Sequence, residues 1–359
     1  MRFQILFFLI LIVFNNYLAH GGLNNYFKHI NTIKLDSKKI IIGKLYSPFF
    51  YSFSFDGDGN IYACDLIGKK ILKFDNNGEL IKIFAGKGRG AGEAMAPNVI
   101  TIDEQGNIIV SDNSLRRISI FDMKGKFRDS FIIGTKHTQP FKIIAKSDIL
   151  YFSVLQQDYD NPDHVNTIVK YTKQGKYIKS FFSMNKKISK TILMSRNKAD
   201  FTIINDKIYA VHSAEFKITV FDLNGNFLKS FGKKPEYFKS IPKNVPLYTE
   251  IDNKSLAQRR KIYQKFENSF TPIIRIFSAG RFIFLLTMVK NGEYFNERQF
   301  MMDVYDLNGN FIEGSIPTNM IFLNKGQDGY YYFLTDEKFS NDNTYYKIAK
   351  YKFYKKVWE

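Results

Sequence analysis

A repeated unit of about 45 residues constrains the fold of this chain more than any other feature. One copy runs from Pro97 to Gly134 and contains DEQGNIIVSDNSLRRISIFDMKGKFRDSF, and a matching copy, DGDGNIYACDLIGKKILKFDNNGELIKIF, begins at Asp56. In each copy a Gly-Asn pair precedes a largely apolar run that ends in Asp, an isoleucine follows, and an aromatic-Asp pair precedes another glycine. The chain is therefore built by repetition of one structural unit.

The spacing of apolar residues predicts that each unit is a small antiparallel sheet. Residues 108–110 form a β-branched run, and the segment Arg117–Phe121 alternates with a period of two, as half-buried strands do. Gly106 and Gly125 supply the positive φ that hairpin turns need. Four short strands at this period are typical of a β-propeller blade rather than of a solenoid repeat.

The number of copies predicts six blades. An aromatic residue before a turn recurs along the chain, with a weaker sixth copy, at Phe74, Phe121, Tyr171, Phe221, Tyr305 and Tyr351. We therefore expect an all-β, six-bladed β-propeller with four-stranded antiparallel blades. The last copy has room for three strands, whereas residues 31 to 45 form an additional strand ahead of the first blade. This N-terminal strand is predicted to close the ring as the outer strand of the last blade.

The blade sequence resembles the NHL-repeat type of six-bladed propeller, in particular the secreted bacterial members. The resemblance rests on the Gly-Asn-Ile-Tyr hairpin, on the Asp at 65 and 112, on the basic-Ile pairs that follow, and on a glycine-rich link to Pro97. It is close in blades one and two and weak in blades three and six. The family includes protein-binding and RNA-binding modules, extracellular sensor domains, and a minority of lyases and lactonases, so the resemblance implies a fold without selecting a function.

The first 21 residues have the composition of a signal peptide. Arg2 precedes an apolar run, residues 3–14, and small residues follow near Ala19, in the order found in secretory leaders. The run is shorter than the roughly 20 apolar residues of a membrane-spanning helix. We expect cleavage of residues 1–21, a propeller over residues 22–359, and a secreted or periplasmic protein without a transmembrane segment. No cysteine lies near the cleavage zone, so a lipid anchor is not expected, and export argues against a nucleic-acid partner.

The chain is strongly basic, with a formal net charge of +18 over 359 residues. This charge favours contact with an anionic partner. The alternative is that the lysines are solvated surface residues, because most are scattered along turns. The single cysteine, Cys64, lies inside an apolar strand and is interpreted as a core residue rather than a reactive thiol.

Two glycine-rich segments resemble ligand-binding loops. The segment GKGRGAGE, residues 86–93, resembles a phosphate-binding loop but lacks the following helix and the Lys-Ser/Thr pair. The segment DGDGN, residues 56–60, resembles the start of a calcium loop but has Ile61 where that loop needs glycine. We therefore interpret the first segment as a link between blades and the second as a hairpin turn.

The aspartate that ends the second strand of the repeat is interpreted as structural. Asp65 and Asp112 each lie five residues before a basic residue, so their carboxylates can bind loop N–H groups or that basic side chain. His212 stands at the same place in the fourth blade. Because a departure from a repeat can mark a functional residue, His212 is a candidate for ligand binding, and a structural role is the alternative.

A long insertion, about residues 233–270, precedes the fifth blade. A helix is predicted in it from about Asn253 to Glu267, with Asn253 as the N-cap. The residues expected to face the propeller are Leu256, Tyr263 and Phe266, or Ile262. The other face is basic and includes Arg259 and Arg260. Long loops on rigid scaffolds are common recognition sites, although this helix could also merely cover a blade edge.

These features predict a binding module whose ligand lies at one end of the central channel. The candidate ligand-binding residues come from the starts of three inner strands, the glycine-rich loop, the fourth blade and the inserted helix: Asn98, Lys142, Arg275, Arg89, His212, Arg259 and Arg260. The expected partner is a protein, a peptide or an anionic glycan. No cofactor is expected, and the protein is expected to be a monomer.

The family resemblance implies an alternative function, a metal-dependent lyase or lactonase with Ca²⁺ or Zn²⁺ in the channel. The sequence does not identify the ligands of such a metal. Carboxylates or histidines that meet on the channel axis would favour the enzyme, whereas a channel lined by lysine, asparagine and aromatic residues would favour the binding module.

Overall fold

The computed structural model of the protein describes residues 23–36, 53–66, 68–134, 140–157, 165–290, 298–339 and 344–354. The predicted signal peptide, residues 1–21, lies outside the described residues. Six four-stranded antiparallel sheets are present, and their inner strands contact one another in sequence around a ring. The fold is a six-bladed β-propeller, as the repeat predicts.

Blades 1 to 5 each run outward from the channel as a meander of four strands, and blade 6 combines a three-strand meander with the N-terminal strand. The first three blades consist, from inside to outside, of β2 (Phe53–Phe55), β3 (Ile61–Asp65), β4 (Lys70–Phe74) and β5 (Leu80–Phe84); β6 (Pro97–Ile102), β7 (Ile108–Asp112), β8 (Arg117–Phe121) and β9 (Phe127–Ile132); and β10 (Lys142–Lys146), β11 (Ile149–Gln157), β12 (Val165–Thr172) and β13 (Tyr177–Ser183). Blades 4 and 5 consist of β14 (Ala199–Ile204), β15 (Lys207–His212), β16 (Ile218–Asp222) and β17 (Phe227–Phe231); and β18 (Ile273–Ala279), β19 (Phe282–Lys290), β20 (Gln299–Asp306) and β21 (Phe311–Thr318). Blade 6 consists of β22 (Ile321–Lys325), β23 (Tyr331–Phe339), β24 (Thr344–Phe353) and β1 (Phe27–Asp36).

The N-terminal strand closes the ring. Strand β1 pairs antiparallel with β24, from Phe27 opposite Phe353 to Asp36 opposite Tyr345, which confirms the predicted outer strand of the last blade. Its position differs from the predicted residues 31 to 45, because the strand begins earlier and residues 37–52 lie outside the described part of the chain. The closure therefore joins the two ends of the propeller through one pair of strands.

A contact between phenylalanine and glycine packs neighbouring blades together. The turns before four of the outer strands contain glycines with φ between 75° and 97°, namely Gly125, Gly175, Gly225 and Gly309. Each of these turns lies against the outer-strand phenylalanine of the preceding blade, respectively Phe84, Phe131, Phe181 and Phe231. A Cβ atom on Gly175 would lie 2.5 Å from Cγ of Phe131. The repeated glycine thus serves both the turn and the packing between blades.

The aspartates of the hairpin turns accept hydrogen bonds inside the turn. Oδ1 of Asp56 accepts from the backbone N–H groups of Asp58 (3.1 Å) and Asn60 (2.8 Å). In the next blade Asp103 accepts in the same way from Gln105 and Asn107. The DGDGN segment is therefore a hairpin turn stabilised by its first aspartate.

The connections between strands divide between the two ends of the channel. Because each blade is a meander, the turns between first and second strands lie at one end, which we call the hairpin face, and the linkers between blades lie at the other, the linker face. The linker face carries helix α1 (Lys186–Ser189) between blades 3 and 4. It also carries helix α2 (Leu256–Glu267), in the insertion between blades 4 and 5.

Helix α2 begins later than predicted, and one residue of its predicted apolar face is exposed. Its N-cap is Ser255, whose Oγ accepts from the N–H of Gln258 while the Gln258 side chain accepts from the Ser255 N–H, so the predicted cap Asn253 is wrong. Leu256 is 85% exposed, contrary to the expectation that it faces the propeller. It is the first residue of the helix and does not belong to the apolar cluster that contains Phe266.

The apolar side of α2 anchors the insertion on the propeller. Phe266 is buried, and Ile262 and Tyr263 pack against the same cluster. The cluster includes Ile192 and Leu193 from the linker between blades 3 and 4. The insertion is therefore packed onto the neighbouring linker through apolar contacts.

Candidate functional site

The inner strands of all six blades enclose a central cavity of about 480 Å³. The charged side chains that line it are Lys142, Lys198, Asp200, Arg275 and Lys325. Of the residues that the structure describes, the lining thus contains four cations, one carboxylate and no histidine. A cavity with this excess of positive charge favours an anionic occupant.

The single carboxylate joins three blades. Oδ1 of Asp200 lies 2.7 Å from Nζ of Lys142 in the preceding blade, and Oδ2 accepts from the backbone N–H of Ile276 in the following blade at 2.9 Å. Asp200 is 8% exposed, and a buried carboxylate is stable when it is paired and hydrogen-bonded. Its charge is therefore compensated within the protein.

Three cations line the half of the channel nearer the linker face, and two of them, Lys142 and Arg275, are near enough for their charges to interact. Lys142 is the first residue of β10, and Lys198 immediately precedes β14. Burial lowers the pKa of Lys142, although Asp200 raises it, and the charge of Arg275 lowers it further. Burial, with a smaller effect of Arg196, lowers the pKa of Lys198 to about 8. Because the charges of Lys142 and Arg275 disfavour one another, a bound anion would stabilise them.

Backbone carbonyls and an aromatic ring position the cationic groups. Arg275 donates from Nε to the carbonyl of Phe322 at 3.1 Å and from Nη1 to the carbonyl of Ile274 at 2.9 Å. Nζ of Lys198 lies 4.0 Å from the ring centroid of Phe141, within the range of a cation–π contact. These contacts hold both side chains at the channel wall.

Side chains from different blades meet at the hairpin end of the channel. Gln327 of blade 6 donates from Nε2 to the carbonyl of Asp103 in blade 2 at 2.7 Å. The Asp103 carboxylate also accepts from Lys173 of blade 3 at 2.7 Å. Although burial raises the pKa of Asp103, the hydrogen bonds from Lys173 and Asn107 hold it below its usual value. The Gln327 bond therefore joins two non-adjacent blades at the hairpin end of the channel.

Asn98 connects two blades at the start of an inner strand. It is buried, and its Nδ2 donates to the carbonyl of Pro140 at 3.1 Å. The described lining of the cavity does not include it. The structure thus places Asn98 near the channel but in a bond between blades 2 and 3.

The glycine-rich loop, residues 86–93, binds a carboxylate from its own sequence. The N–H of Gly90 donates to Oε2 of Glu93 at 2.6 Å, and a Cβ atom on Gly88 would lie 2.0 Å from the same oxygen. Arg89 is exposed on this loop, and its carbonyl accepts from Arg117 at 3.1 Å. The Glu93 carboxylate occupies the space in which a phosphate would lie, so the loop is a link between blades.

The repeated aspartates hold the loops that follow them. Oδ1 of Asp65 accepts from the N–H of Gly68 at 2.6 Å, and Lys70 lies 3.7 Å from Oδ2. Asp112 accepts from the N–H of Leu115 at 2.9 Å and from two N–H groups of the linker that precedes its blade. Both carboxylates are buried and act within the scaffold.

His212 lies in a groove between blades 3 and 4, away from the channel. The Thr167 hydroxyl donates to the carbonyl of Phe182 at 2.7 Å, so it accepts from Nε2 of His212 at 2.9 Å. Nδ1 then faces Oε1 of Glu215 at 3.7 Å. Burial lowers the pKa of His212 to about 3. The imidazole is therefore neutral at physiological pH and packs between two blades.

The basic candidates on helix α2 have different environments. Arg259 donates from Nε to the carbonyl of Lys254 at 2.9 Å and from Nη2 to the carbonyl of Asp252. Its guanidinium thus binds the chain that leads into the helix. Arg260 is exposed.

Of the candidates that the sequence suggests, the structure brings Lys142 and Arg275 together in the cavity. Lys198 and Asp200 complete the cluster and were missed by sequence reasoning. The available signal was an aspartate in the largely apolar inner strand β14, because carboxylates are seldom buried unless they are paired.

The fold and this channel define the class of protein as a six-bladed propeller with a basic central cavity. Within the described part of the chain no helix has the length and apolar character to span a membrane. No protein-family model matches the chain.

The chain is similar in structure to two proteins from Bacteroides. A member of the DUF4221 family from Bacteroides vulgatus has a TM-score of 0.58 at 12% identity, over 92% of this chain and 99% of that one. A Bacteroides fragilis protein described as exported has a TM-score of 0.57 at 10% identity, over 90% and 94% of the two chains. At these identities the likeness concerns the fold alone.

One curated protein is similar in sequence over part of the chain. The Drosophila melanogaster protein Brain tumor is 28% identical over 142 residues, which are 39% of this chain. The match spans 13% of the length of Brain tumor.

Proposed function

We propose that this protein is an exported, NHL-repeat-like propeller that binds an anionic ligand in the linker-face half of its channel. The observation that carries the proposal is that Lys142, Lys198 and Arg275 line one cavity whose described lining has a single carboxylate, Asp200, which is already paired with Lys142. Protein, peptide and anionic glycan ligands all offer the complementary charge. The blade motifs support the NHL-like assignment, and the N-terminal apolar run supports export.

The metal-dependent lyase or lactonase is the weaker alternative. It needs several carboxylate or imidazole ligands that converge on one point. Among the residues that the structure describes, no three His, Cys, Asp or Glu side chains form such a group. The cationic lining therefore supports the binding module.

A binding experiment with one lysine variant tests this function. We expect arrays of acidic and neutral peptides and glycans to give hits among the acidic members. For the best hit, Lys198→Gln should lower the affinity by roughly tenfold, the effect of losing one charged hydrogen bond, as measured by titration calorimetry. The affinity should fall as the pH rises through about 8, because Lys198 then loses its proton.

The matched control for this experiment is Lys207→Gln, since Lys207 is exposed at the start of β15. It should leave the affinity unchanged. Equal losses in both variants would mean that binding depends on general surface charge, and hits spread evenly over acidic and neutral ligands would contradict the proposal.

A further inference from the structure

The cavity contains an apolar wall beyond the cation cluster. Ile102, Ile144 and Ile204 lie in the inner strands of blades 2, 3 and 4, and all three line the cavity. Each is only partly buried, so apolar surface remains accessible inside the channel. These isoleucines follow the cationic residues along strands that start at the linker face, which places them deeper in the channel.

The distance between the cationic residues and the isoleucines sets the size of the ligand. Ile144 follows Lys142 by two residues, and Ile204 follows Asp200 by four. At about 3.3 Å per strand residue, the apolar surface lies roughly 7 to 13 Å beyond the charged groups. At the hairpin end beyond this surface, Gln327 reaches from blade 6 to the Asp103 carbonyl in blade 2.

We propose that the channel binds a small amphiphilic organic anion, with an oxyanion head at Lys142, Lys198 and Arg275 and an apolar body against the three isoleucines. This inference rests on the proposed anion site and assigns to it a small molecule in place of a protein, peptide or glycan. Arg275 presents a planar guanidinium that fits a carboxylate or sulfate. A fully polar glycan would leave the isoleucine wall without apolar contact, so an apolar body is the better complement.

Carboxylates of increasing chain length test the inference on the full chain. Calorimetric titration with acetate, butyrate, hexanoate and octanoate should show affinity that rises about fourfold per added methylene, the increment for removing one methylene from water. Octylammonium, which has an apolar tail of similar length to that of octanoate but a positive head, should not bind. Sulfate with an octyl chain should bind like octanoate.

Substitution of one cationic residue and of one isoleucine tests the two parts of the site separately. Lys198→Gln should weaken all the carboxylates by a similar factor. Ile144→Thr should reduce the increment per methylene, whereas Ile178→Thr, at a residue of β13 that is 42% exposed, should not. Circular dichroism of each variant checks that the propeller is folded.

The outcomes distinguish this inference from the proposed function. Equal affinity for acetate and octanoate would overturn the amphiphilic ligand while leaving an anion site in place. Binding of octylammonium as tight as that of octanoate would overturn the assigned head site. If no carboxylate of the chain-length series and no acidic member of the arrays binds, both proposals are overturned.

Discussion

Deletion of residues 22–46 is expected to abolish the cooperative unfolding transition of the propeller. This segment contains β1, the outer strand of blade 6, which pairs with β24 along its length. Without it blade 6 keeps three strands, and the edge of β24 and the buried face beneath β1 become exposed. Thermal unfolding followed by circular dichroism should show a broad, gradual loss of signal in place of one transition.

A point substitution in β1 tests how much the closing strand contributes to stability without removing that strand. Phe27 is fully buried, and its ring contacts Phe277 and Phe284 of blade 5 as well as Tyr331, Phe333 and Phe353 of blade 6. Phe27→Ala should lower the free energy of unfolding by about 3–5 kcal/mol, the usual cost of such a cavity.

Ile30→Ala is the matched control, because Ile30 lies on the same strand and is 43% exposed. Its effect should be within about 0.5 kcal/mol. A deletion variant that still unfolds cooperatively at the wild-type midpoint would show that the ring does not need this strand.

Gly175→Ala is expected to destabilise the propeller by about 2–5 kcal/mol. The glycine has a φ of 84°, where an L-residue costs about 1–2 kcal/mol. A Cβ atom would also lie 2.5 Å from Cγ of Phe131, the part of the ring nearest its backbone, and such overpacking typically costs about 1–3 kcal/mol. Chemical denaturation measures the loss.

Gly57→Ala provides the comparison for this variant. Gly57 lies in a hairpin turn, and a Cβ atom there would meet nothing within 4 Å, so its effect should stay within about 0.5 kcal/mol. Similar losses in the two variants would mean that the contact between Phe131 and the turn of the next blade does not stabilise the ring.

The blade architecture could be predicted from the sequence because its determinants are local and repeated. The aromatic residues at Phe74, Phe121 and their counterparts lie in the third strand of each blade, where the count of six placed them. The closing strand followed from the three strands available in the last copy. The cap of α2 was missed because Asn253 and Ser255 are both favourable cap residues, and tertiary packing selects between them.

The channel cluster could be predicted only in part, because its contacts join distant residues. Lys142 and Asp200 are separated by 58 positions, and Asp200 and Ile276 by 76. Lys142 and Arg275 were found from their places at the starts of inner strands, whereas Asn98 at a similar place bonds to Pro140. Which side chain enters the cavity depends on the twist and register of each blade, which a single sequence does not specify.

The most direct test of the anion site is to locate a bound anion. Crystals of the protein soaked in bromide give an anomalous difference map that marks each bromide ion. The account predicts a strong peak inside the channel, in contact with Lys142, Lys198 and Arg275. Bromide found only beside exposed surface lysines, with the channel cluster empty, would contradict it.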